Sequence, residues 1–211
     1  MKAVLFDLDG VIIDSGDFHF QAWQIFCSKF NKNITYEKFK KGFGQTNRDI
    51  LQDMLERSLT DEEIQCYSDE KEEIFRSIAR GSITPIKGAV AFIISLKEQN
   101  VAIALVSSTP RINIDFILKE IGLEHSFHII ISSEDVSEGK PSPECYLKAS
   151  QKLDREPEDC IVIEDAIPGV QAALNAGMPC IAITTTQPAE KLHHATYIID
   201  DYTDIDPAWL E

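Results

Sequence analysis

The sequence lacks the features that would place the protein in a membrane. No apolar run approaches the roughly 18 residues that a membrane span needs, and a long run such as residues 101–106 has only the length of a strand. The apolar run that ends at Asp7 is also too short for the core of a signal peptide. We therefore expect no leader sequence, no membrane partner and a cytoplasmic location.

Cysteine is present, but without the patterns of a disulfide framework or a zinc site. The five cysteines are Cys27, Cys66, Cys145, Cys160 and Cys180. They are odd in number, scattered along the chain and form no Cys-x-x-Cys pair. Such a set is typical of free thiols in a reducing compartment, so we expect neither disulfides nor a zinc ion.

Positive charge is scarce. The 20 lysines and arginines are outnumbered by 35 aspartates and glutamates, which gives a net charge of −15. Nucleic acid is a polyanion that needs a basic face, so we expect no nucleic-acid partner. An anionic substrate would need a local positive site, such as a metal ion or a few basic side chains.

The sequence does contain a regular alternation of apolar and helical segments. Strand-like runs occur at residues 4–6, 101–106, 128–131, 160–163, 180–183 and 197–199. Helical segments occur at about residues 88–99, 110–121, 143–153, 168–176 and 187–193. Because the apolar runs are continuous, we expect strands buried on both faces, as in a parallel sheet. The sequence therefore predicts an α/β fold, a doubly wound (Rossmann-like) parallel-sheet core with its ligand site at the carboxyl ends of the strands.

The stretch of about residues 15–84 interrupts this alternation, because it contains helical patterns only. These patterns lie at residues 18–30, 36–41, 48–57 and 61–79. Residues 60–63 (TDEE) have the pattern of a capping box that begins the last of them. We interpret residues 15–84 as a helical cap domain inserted after the first strand, with residues 1–14 and 85–211 forming the α/β core.

Two aspartates directly follow the first apolar run. Asp7 and Asp9 are two residues apart, so in an extended strand their side chains point the same way. Paired carboxylates at the end of a buried strand are costly unless a cation or a reaction needs them. The segment DLDG is also typical of an acidic turn, and the pair alone does not separate the two interpretations.

Polar residues also follow later apolar runs. Ser107 and Ser108 lie at a strand-to-helix turn, where hydroxyls and free amides can bind an anion, although a serine N-cap is the commoner explanation. Lys140 lies between a glycine and a proline, either as a phosphate clamp or as a surface charge. Glu164 and Asp165 could complete an oxygen cage for Mg²⁺ or simply favour the dipole of the next helix.

Taken together and in this order, these segments resemble the four motifs of the haloacid dehalogenase superfamily of phosphotransferases. The motifs correspond to residues 6–11 (FDLDGV), 107–111 (SSTPR), 139–141 (GKP) and 164–165 (ED). The resemblance covers essentially the whole chain, and a helical cap after the first strand fits it. Asp14 and Ser15, with His19 and the pair Ala22 and Trp23, look most like the branch of β-phosphoglucomutase and sugar phosphatases.

The resemblance implies a reaction for the first motif. Asp7 would attack the phosphoryl group and form an aspartyl-phosphate intermediate. Asp9 would act as general acid toward the leaving oxygen and then as general base for the next acceptor. Because an alcohol leaving group needs this proton and a halide does not, Asp9 argues against a dehalogenase. A Mg²⁺ cofactor would be held by Asp7, the Asp9 backbone carbonyl, Asp165 and Glu164.

The remaining motifs would bind the transferring phosphoryl group. Ser107, the Ser108 amide and Lys140 would hold its oxygens as charge redistributes. The expected partner is therefore a small phosphorylated molecule. A capped single-core enzyme of this kind can work as a monomer, which is our expectation here.

The acceptor depends on residues of the cap. Water as acceptor would give a phosphatase, and a sugar hydroxyl would give a mutase. His19 and Trp23 fit the mutase branch, where the histidine orients the acid/base aspartate, but Trp23 also fits a helix face packed in the core. Lys71 occupies the place of a substrate-binding lysine, but a lysine among glutamates is also typical of an exposed helix face.

Residues 42–48 (GFGQTNR) depart from the mutase pattern. Thr46 and Arg48 are the candidate substrate residues here, but Asn47 stands where the mutase has its arginine. Because one residue turns a helical side chain by about 100°, Arg48 need not reach the same phosphate. Residues 110–111 (PR) also differ from the mutase. We therefore predict a Mg²⁺-dependent phosphatase acting on a small sugar phosphate, with β-phosphoglucomutase as the alternative.

Two other classes of protein fit less well. A receiver domain also combines strand-end acids, a hydroxyl and a lysine, but it is compact and carries no helical insertion. A non-catalytic phosphate-binding module should have lost a catalytic group, whereas Asp7, Asp9, Lys140 and Asp165 are all present.

Overall fold

The computed structural model describes residues 2–42 and 47–211. The strands are β1 (Ala3–Phe6), β2 (Ile13–Asp14), β3 (Thr84–Pro85), β4 (Ile103–Val106), β5 (Ile129–Ile131), β6 (Cys160–Glu164), β7 (Cys180–Ile183) and β8 (Tyr197–Ile199). The α-helices are α1 (Gly16–Ser28), α2 (Tyr36–Gly42), α3 (Asn47–Leu55), α4 (Asp61–Ala79), α5 (Ala89–Glu98), α6 (Arg111–Glu120), α7 (Glu144–Lys152) and α8 (Ile167–Asn175). Within these ranges no helix is long and apolar enough to cross a membrane.

A six-stranded parallel sheet forms the centre of the molecule, in the order β5-β4-β1-β6-β7-β8. β1 lies between β4 and β6, with Leu5 paired to Ala104 on one side and to Val162 on the other. The chain order therefore reverses at β1. In doubly wound sheets the ligand crevice lies at the carboxyl ends of the strands where this reversal occurs. The fold thus directs the site to the ends of β1, β4 and β6.

Both faces of the sheet are covered by helices, which explains the continuous apolar runs. Phe6 packs in one cluster with Ile93 of α5 and Ile117 of α6. Leu5, which points to the other face, packs in a second cluster with Tyr146 of α7 and with α8. The predicted α/β fold with a doubly wound parallel sheet is confirmed.

The four helices α1 to α4 lie between β2 and β3. These two strands pair antiparallel, with Ile13 opposite Pro85. The two ends of the helical segment therefore lie next to each other. The helices have an apolar cluster of their own, which includes Trp23, Phe26 and Leu51. Helix α4 begins with the predicted capping box at Thr60.

One local prediction is wrong, and one element of the structure was not predicted. The segment 187–193 was predicted as a helix, but only a single 3-10 turn, Ala189–Lys191, forms there after Pro188. The pattern is too short to bury a helical face, so that prediction is wrong. The ribbon of β2 and β3 was not predicted, because strands of two residues leave no periodic signal.

Candidate active site

A cavity opens at the carboxyl ends of β1, β4 and β6. The α/β core contributes the predicted residues that follow these strands, namely Asp7, Asp9, Ser107, Ser108, Lys140, Glu164 and Asp165. The inserted helices contribute His19, Trp23, Asn47, Lys71 and Glu72 to the same cavity. The structure therefore brings all the predicted core residues together with three of the predicted cap residues.

Lys140 connects two of the strand ends. Its Nζ donates to Asp7 Oδ1 at 2.7 Å and to Glu164 Oε1 at 2.6 Å. Burial alone would lower the pKa of Lys140, but the charges of Asp7 and Glu164 outweigh it and hold the pKa well above its ordinary value. Lys140 is therefore a fixed positive charge within the site and not a surface lysine.

The carboxyl groups of Asp7 and Asp165 are difficult to ionise. Burial, followed by the nearby charges of Glu164 and Asp9, raises the pKa of Asp7 to about 8, although Lys140 opposes this shift. Burial and the charges of Glu164 and Asp7 likewise raise the pKa of Asp165 well above its ordinary value. A bound cation would relieve this repulsion.

The carboxylates of Asp7, Glu164 and Asp165 can meet at one point. Each offers an oxygen, and these oxygens lie within 4.8 Å of one another. The ammonium group of Lys140 pairs with Asp7 and Glu164, so with all three carboxyl groups ionised the cluster has an excess of negative charge. A set of hard oxygen donors with this charge fits a divalent cation such as Mg²⁺.

Backbone groups and a glycine hold Glu164 in this position. Its Oε2 accepts hydrogen bonds from the Asp165 and Ala166 amides at 2.8 and 3.0 Å, and Tyr146 donates to its Oε1 at 3.1 Å. A Cβ atom on Gly169 would lie 1.7 Å from Glu164 Oε1. Gly169 was not predicted as a site residue, but only a glycine leaves room for this carboxylate.

Asp9 has a very different environment from that of Asp7. Thr109 Oγ1 donates to Asp9 Oδ2 at 2.8 Å, the Ser15 hydroxyl donates to Oδ1, and His19 Nε2 lies 3.4 Å from Oδ1. Burial alone would raise the pKa of Asp9, but the hydrogen bonds and the charge of His19 outweigh it and lower the pKa to about 2. Ser15 and Thr109 were not predicted for this role, since hydroxyl residues in turns are common.

Lys71 is buried, which excludes the alternative of an exposed helix face. Its side chain is 2% exposed, and its Nζ lies 2.8 Å from His19 Nδ1 and 5.1 Å from the centre of the Trp23 ring. Since His19 also faces Asp9, a chain of contacts runs from Lys71 to the first motif. Trp23 is both a core residue and part of the cavity wall.

Ser107 and Ser108 line the cavity where β4 ends. The Ser107 hydroxyl oxygen accepts a hydrogen bond from the Thr109 amide at 3.0 Å. This contact stabilises the turn after β4, so the Ser107 hydroxyl has a structural role as well as a place in the cavity.

One predicted cap residue, Arg48, is not brought to the cavity. Arg48 donates to Asp61 at 2.9 Å at the start of α4, and its side chain is 53% exposed. Asn47, the residue before it, faces the cavity instead. Thr46 lies outside the described residues.

Comparison with known proteins identifies relatives over most of the chain. The family model described as haloacid dehalogenase-like hydrolase matches residues 4–183. A β-phosphoglucomutase from Bacillus subtilis is 32% identical over 196 residues, which are 89% of this chain and 85% of that protein. A phosphorylated carbohydrates phosphatase from Thermotoga maritima is 29% identical over 182 residues, 84% of this chain and 82% of that protein.

A solved structure is similar in fold as well. The crystal structure of a HAD hydrolase, family IA, variant 3, from Entamoeba histolytica superimposes with a TM-score of 0.90 at 29% identity. The match covers 100% of this chain and 97% of the other.

Proposed function

Because the chain belongs to the haloacid dehalogenase-like hydrolases, as its motifs predicted, we propose that it is a Mg²⁺-dependent phosphatase of small sugar phosphates. The proposed intermediate is an aspartyl phosphate on Asp7. The observation that carries the proposal is the contrast between two carboxylates in one cavity. Asp7 is fixed by Lys140 beside a potential cation site, whereas Asp9 is surrounded by hydrogen-bond donors from Ser15, Thr109 and His19.

Asp7 and Asp9 have different roles in the proposed reaction. A carboxylate oxygen of Asp7 forms a bond to phosphorus, the bond from phosphorus to the leaving oxygen breaks, and Asp9 gives its proton to that oxygen. Asp9 then takes a proton from water, whose oxygen attacks phosphorus, releasing inorganic phosphate and restoring the Asp7 carboxylate. Asp9 is ionised in the substrate-free protein, and a phosphate dianion beside it would raise its pKa and favour the protonated form.

The other core residues bind charge that develops during transfer. Lys140 would move part of its hydrogen bonding from Asp7 to a phosphoryl oxygen, and Ser107 and the Ser108 amide would hold the remaining oxygens. Mg²⁺ bound by Asp7, Glu164, Asp165 and the Asp9 backbone carbonyl would supply the positive charge that lets a carboxylate approach a dianionic phosphate.

β-Phosphoglucomutase activity is the second candidate. The contacts from Lys71 through His19 to Asp9 favour it, because they would orient the acid/base group toward a sugar acceptor. The positions of Asn47 and Arg48 favour the phosphatase. Asn47 brings no positive charge to the cavity, and Arg48 is paired with Asp61. We therefore retain water as the proposed acceptor.

We also propose that residues 15–84 act as a cap that closes over the core of residues 1–14 and 85–211 and excludes water during phosphorylation of Asp7. The paired strands β2 and β3 contain both connections, so the hinge would lie at residues 14–15 and 82–85. Crystals with and without a phosphate analogue such as vanadate should differ in the angle between the two parts. Identical positions in both crystals would contradict closure.

We also propose an oligomeric state and a cellular compartment for the protein. The groups to which the proposed reaction assigns a role, from Asp7 to Asp165, meet in one cavity of this chain, and we propose that the protein acts as a monomer. All five cysteines are free, which agrees with a reducing cytoplasm.

Phosphorus NMR tests the proposed reaction. The protein with Mg²⁺ is given a panel of sugar phosphates that includes β-glucose 1-phosphate primed with glucose 1,6-bisphosphate, and an Asp7→Asn sample is run beside it. Free phosphate from the wild type and none from the variant is the expected result. Accumulation of glucose 6-phosphate without free phosphate would establish the mutase instead.

A further inference from the structure

The cavity contains a carboxylate that the proposed reaction does not use. Glu72 of α4 is 3% exposed and lines the cavity. Its Oε1 accepts hydrogen bonds from Lys71 Nζ at 2.8 Å and Asn47 Nδ2 at 2.7 Å. Its Oε2 accepts one from Asn113 Nδ2 of helix α6 at 2.5 Å. Donors from three helices therefore fix this side chain.

Glu72 remains charged in this position. Burial alone would raise the pKa of Glu72, but the charges of Lys71 and His19 and the hydrogen bonds from Lys71 and Asn47 outweigh it and lower the pKa. A carboxylate has about four acceptor positions, and three of those on Glu72 are occupied. One acceptor position on Oε2 is therefore left for a donor from a bound molecule.

No positive charge is available near Glu72 for a second anionic group, as far as the described lining of the cavity shows. The basic residues there are Lys71, Lys140 and His19, and each is already paired with a carboxylate. Arg48 is paired with Asp61, and Arg76 donates to the side chain of Asn113. A second phosphate would therefore meet the Glu72 carboxylate without a counter-ion, whereas a hydroxyl could donate to it.

We propose that Glu72 selects substrates by the chemistry of the group that leaves with the phosphate's bridging oxygen, a proposal that rests on the proposed function. Glu72 accepts a hydrogen bond from a hydroxyl of the substrate and rejects substrates that carry a second phosphate. The substrates would then be monophosphates of polyhydroxylated compounds, and bisphosphates would be excluded. This selectivity also disfavours a mutase, whose reaction passes through a bisphosphate.

Measuring substrate binding to a variant that cannot catalyse the reaction separates this inference from the proposed function. Calorimetry with Asp7→Asn protein and Mg²⁺ compares glucose 6-phosphate with glucose 1,6-bisphosphate. We expect the monophosphate to bind at least about tenfold more tightly. Adding Glu72→Gln should reduce that preference by about tenfold, which corresponds to about 1.4 kcal/mol, because glutamine keeps the shape without the charge.

Two further variants serve as controls. Glu73→Gln removes the same charge from an exposed position of the same helix and should leave the preference unchanged. Asn47→Arg places a cation beside Glu72 and should increase bisphosphate binding, a gain that misfolding cannot produce. Absence of a preference for the monophosphate, or equal effects of Glu72→Gln and Glu73→Gln, would overturn the inference. If the preference follows Glu72 but the wild type releases no phosphate from any substrate, the proposed function fails and the inference about Glu72 stands.

Discussion

The pair Asp7 and Asp9 illustrates how local environment separates two identical residues. Asp7 is buried and Asp9 is half-buried. Hydrogen-bond donors surround Asp9, whereas carboxylates lie near Asp7, so that their pKa values shift in opposite directions. The sequence predicted both residues from the strand that precedes them. The resemblance placed His19 beside Asp9 as well, but the sequence could not predict the shifts, because the fold brings the donors Ser15 and Thr109 to Asp9.

The raised pKa of Asp7 predicts a pH-dependent instability of the metal-free protein. The pKa rises from 3.8 to about 8 on folding. Between these two values the folded protein holds a proton on Asp7 that the unfolded chain has lost, so the free energy of unfolding falls as the pH rises. Asp7→Asn removes that loss of stability. In the presence of EDTA, the melting temperature of the variant should exceed that of the wild type by an amount that grows from pH 5 to about pH 8 and reaches on the order of 5 °C.

Mg²⁺ provides the control for this prediction. The ion should raise the melting temperature of the wild type more than that of Asp7→Asn, because it binds the ionised carboxylate. A difference between the two proteins that does not vary with pH would show that Asp7 ionises at an ordinary pKa.

Gly169 gives a second test at the level of single residues. In Gly169→Ala the new methyl group would collide with Glu164 Oε1, so Glu164 must move away from its backbone donors. We expect a loss of about 1–3 kcal/mol in the free energy of unfolding and a higher Mg²⁺ concentration for half-maximal activity. Gly16→Ala, where a Cβ atom meets nothing within 4 Å, is the matched control. Equal behaviour of the two variants would mean that Glu164 tolerates displacement.

Among the elements, helix α4 connects sequence and site most directly, since it carries both Lys71 and Glu72. Its beginning was predicted from residues 60–63, and its capping box is present: the Glu63 amide donates to Thr60 Oγ1 at 3.2 Å and the Thr60 amide to Glu63 Oε2 at 2.9 Å. Its buried face was predicted less well. Glu72 lies among other acidic residues and gives no sequence signal that distinguishes it from them.

Loss of the capping box should destabilise helix α4 without changing the chemistry at the site. Thr60→Ala is expected to lower the free energy of unfolding by about 1 kcal/mol, or the melting temperature by about 2–4 °C, with turnover nearly unchanged at low temperature. Ser77→Ala, at an exposed position inside the same helix, should have a much smaller effect. Chemical denaturation of both variants measures the difference, and equal losses would mean that the capping box contributes nothing.

At the scale of the whole molecule, the sheet order decides which distant residues meet. The contact between Asp7 and Lys140 joins positions 133 residues apart, and that between His19 and Lys71 joins positions 52 apart. Apolar runs and strand-end residues predicted the fold class and the core of the site. The order of Asn47 and Arg48 indicated that Arg48 need not reach the phosphate. The sequence could not predict the pairing of Arg48 with Asp61 or the contact of Asn113 with Glu72, because these depend on how helices pack.

The most direct test of the central claim is to identify the residue that becomes phosphorylated. The protein is mixed with Mg²⁺ and the best substrate of the panel, quenched in acid within one turnover, digested and examined by mass spectrometry. We predict one phosphoryl group on the peptide that contains Asp7, and none in an Asp7→Asn sample treated in the same way. Phosphate release without labelling of that peptide, or a label on another residue, would contradict the proposed mechanism.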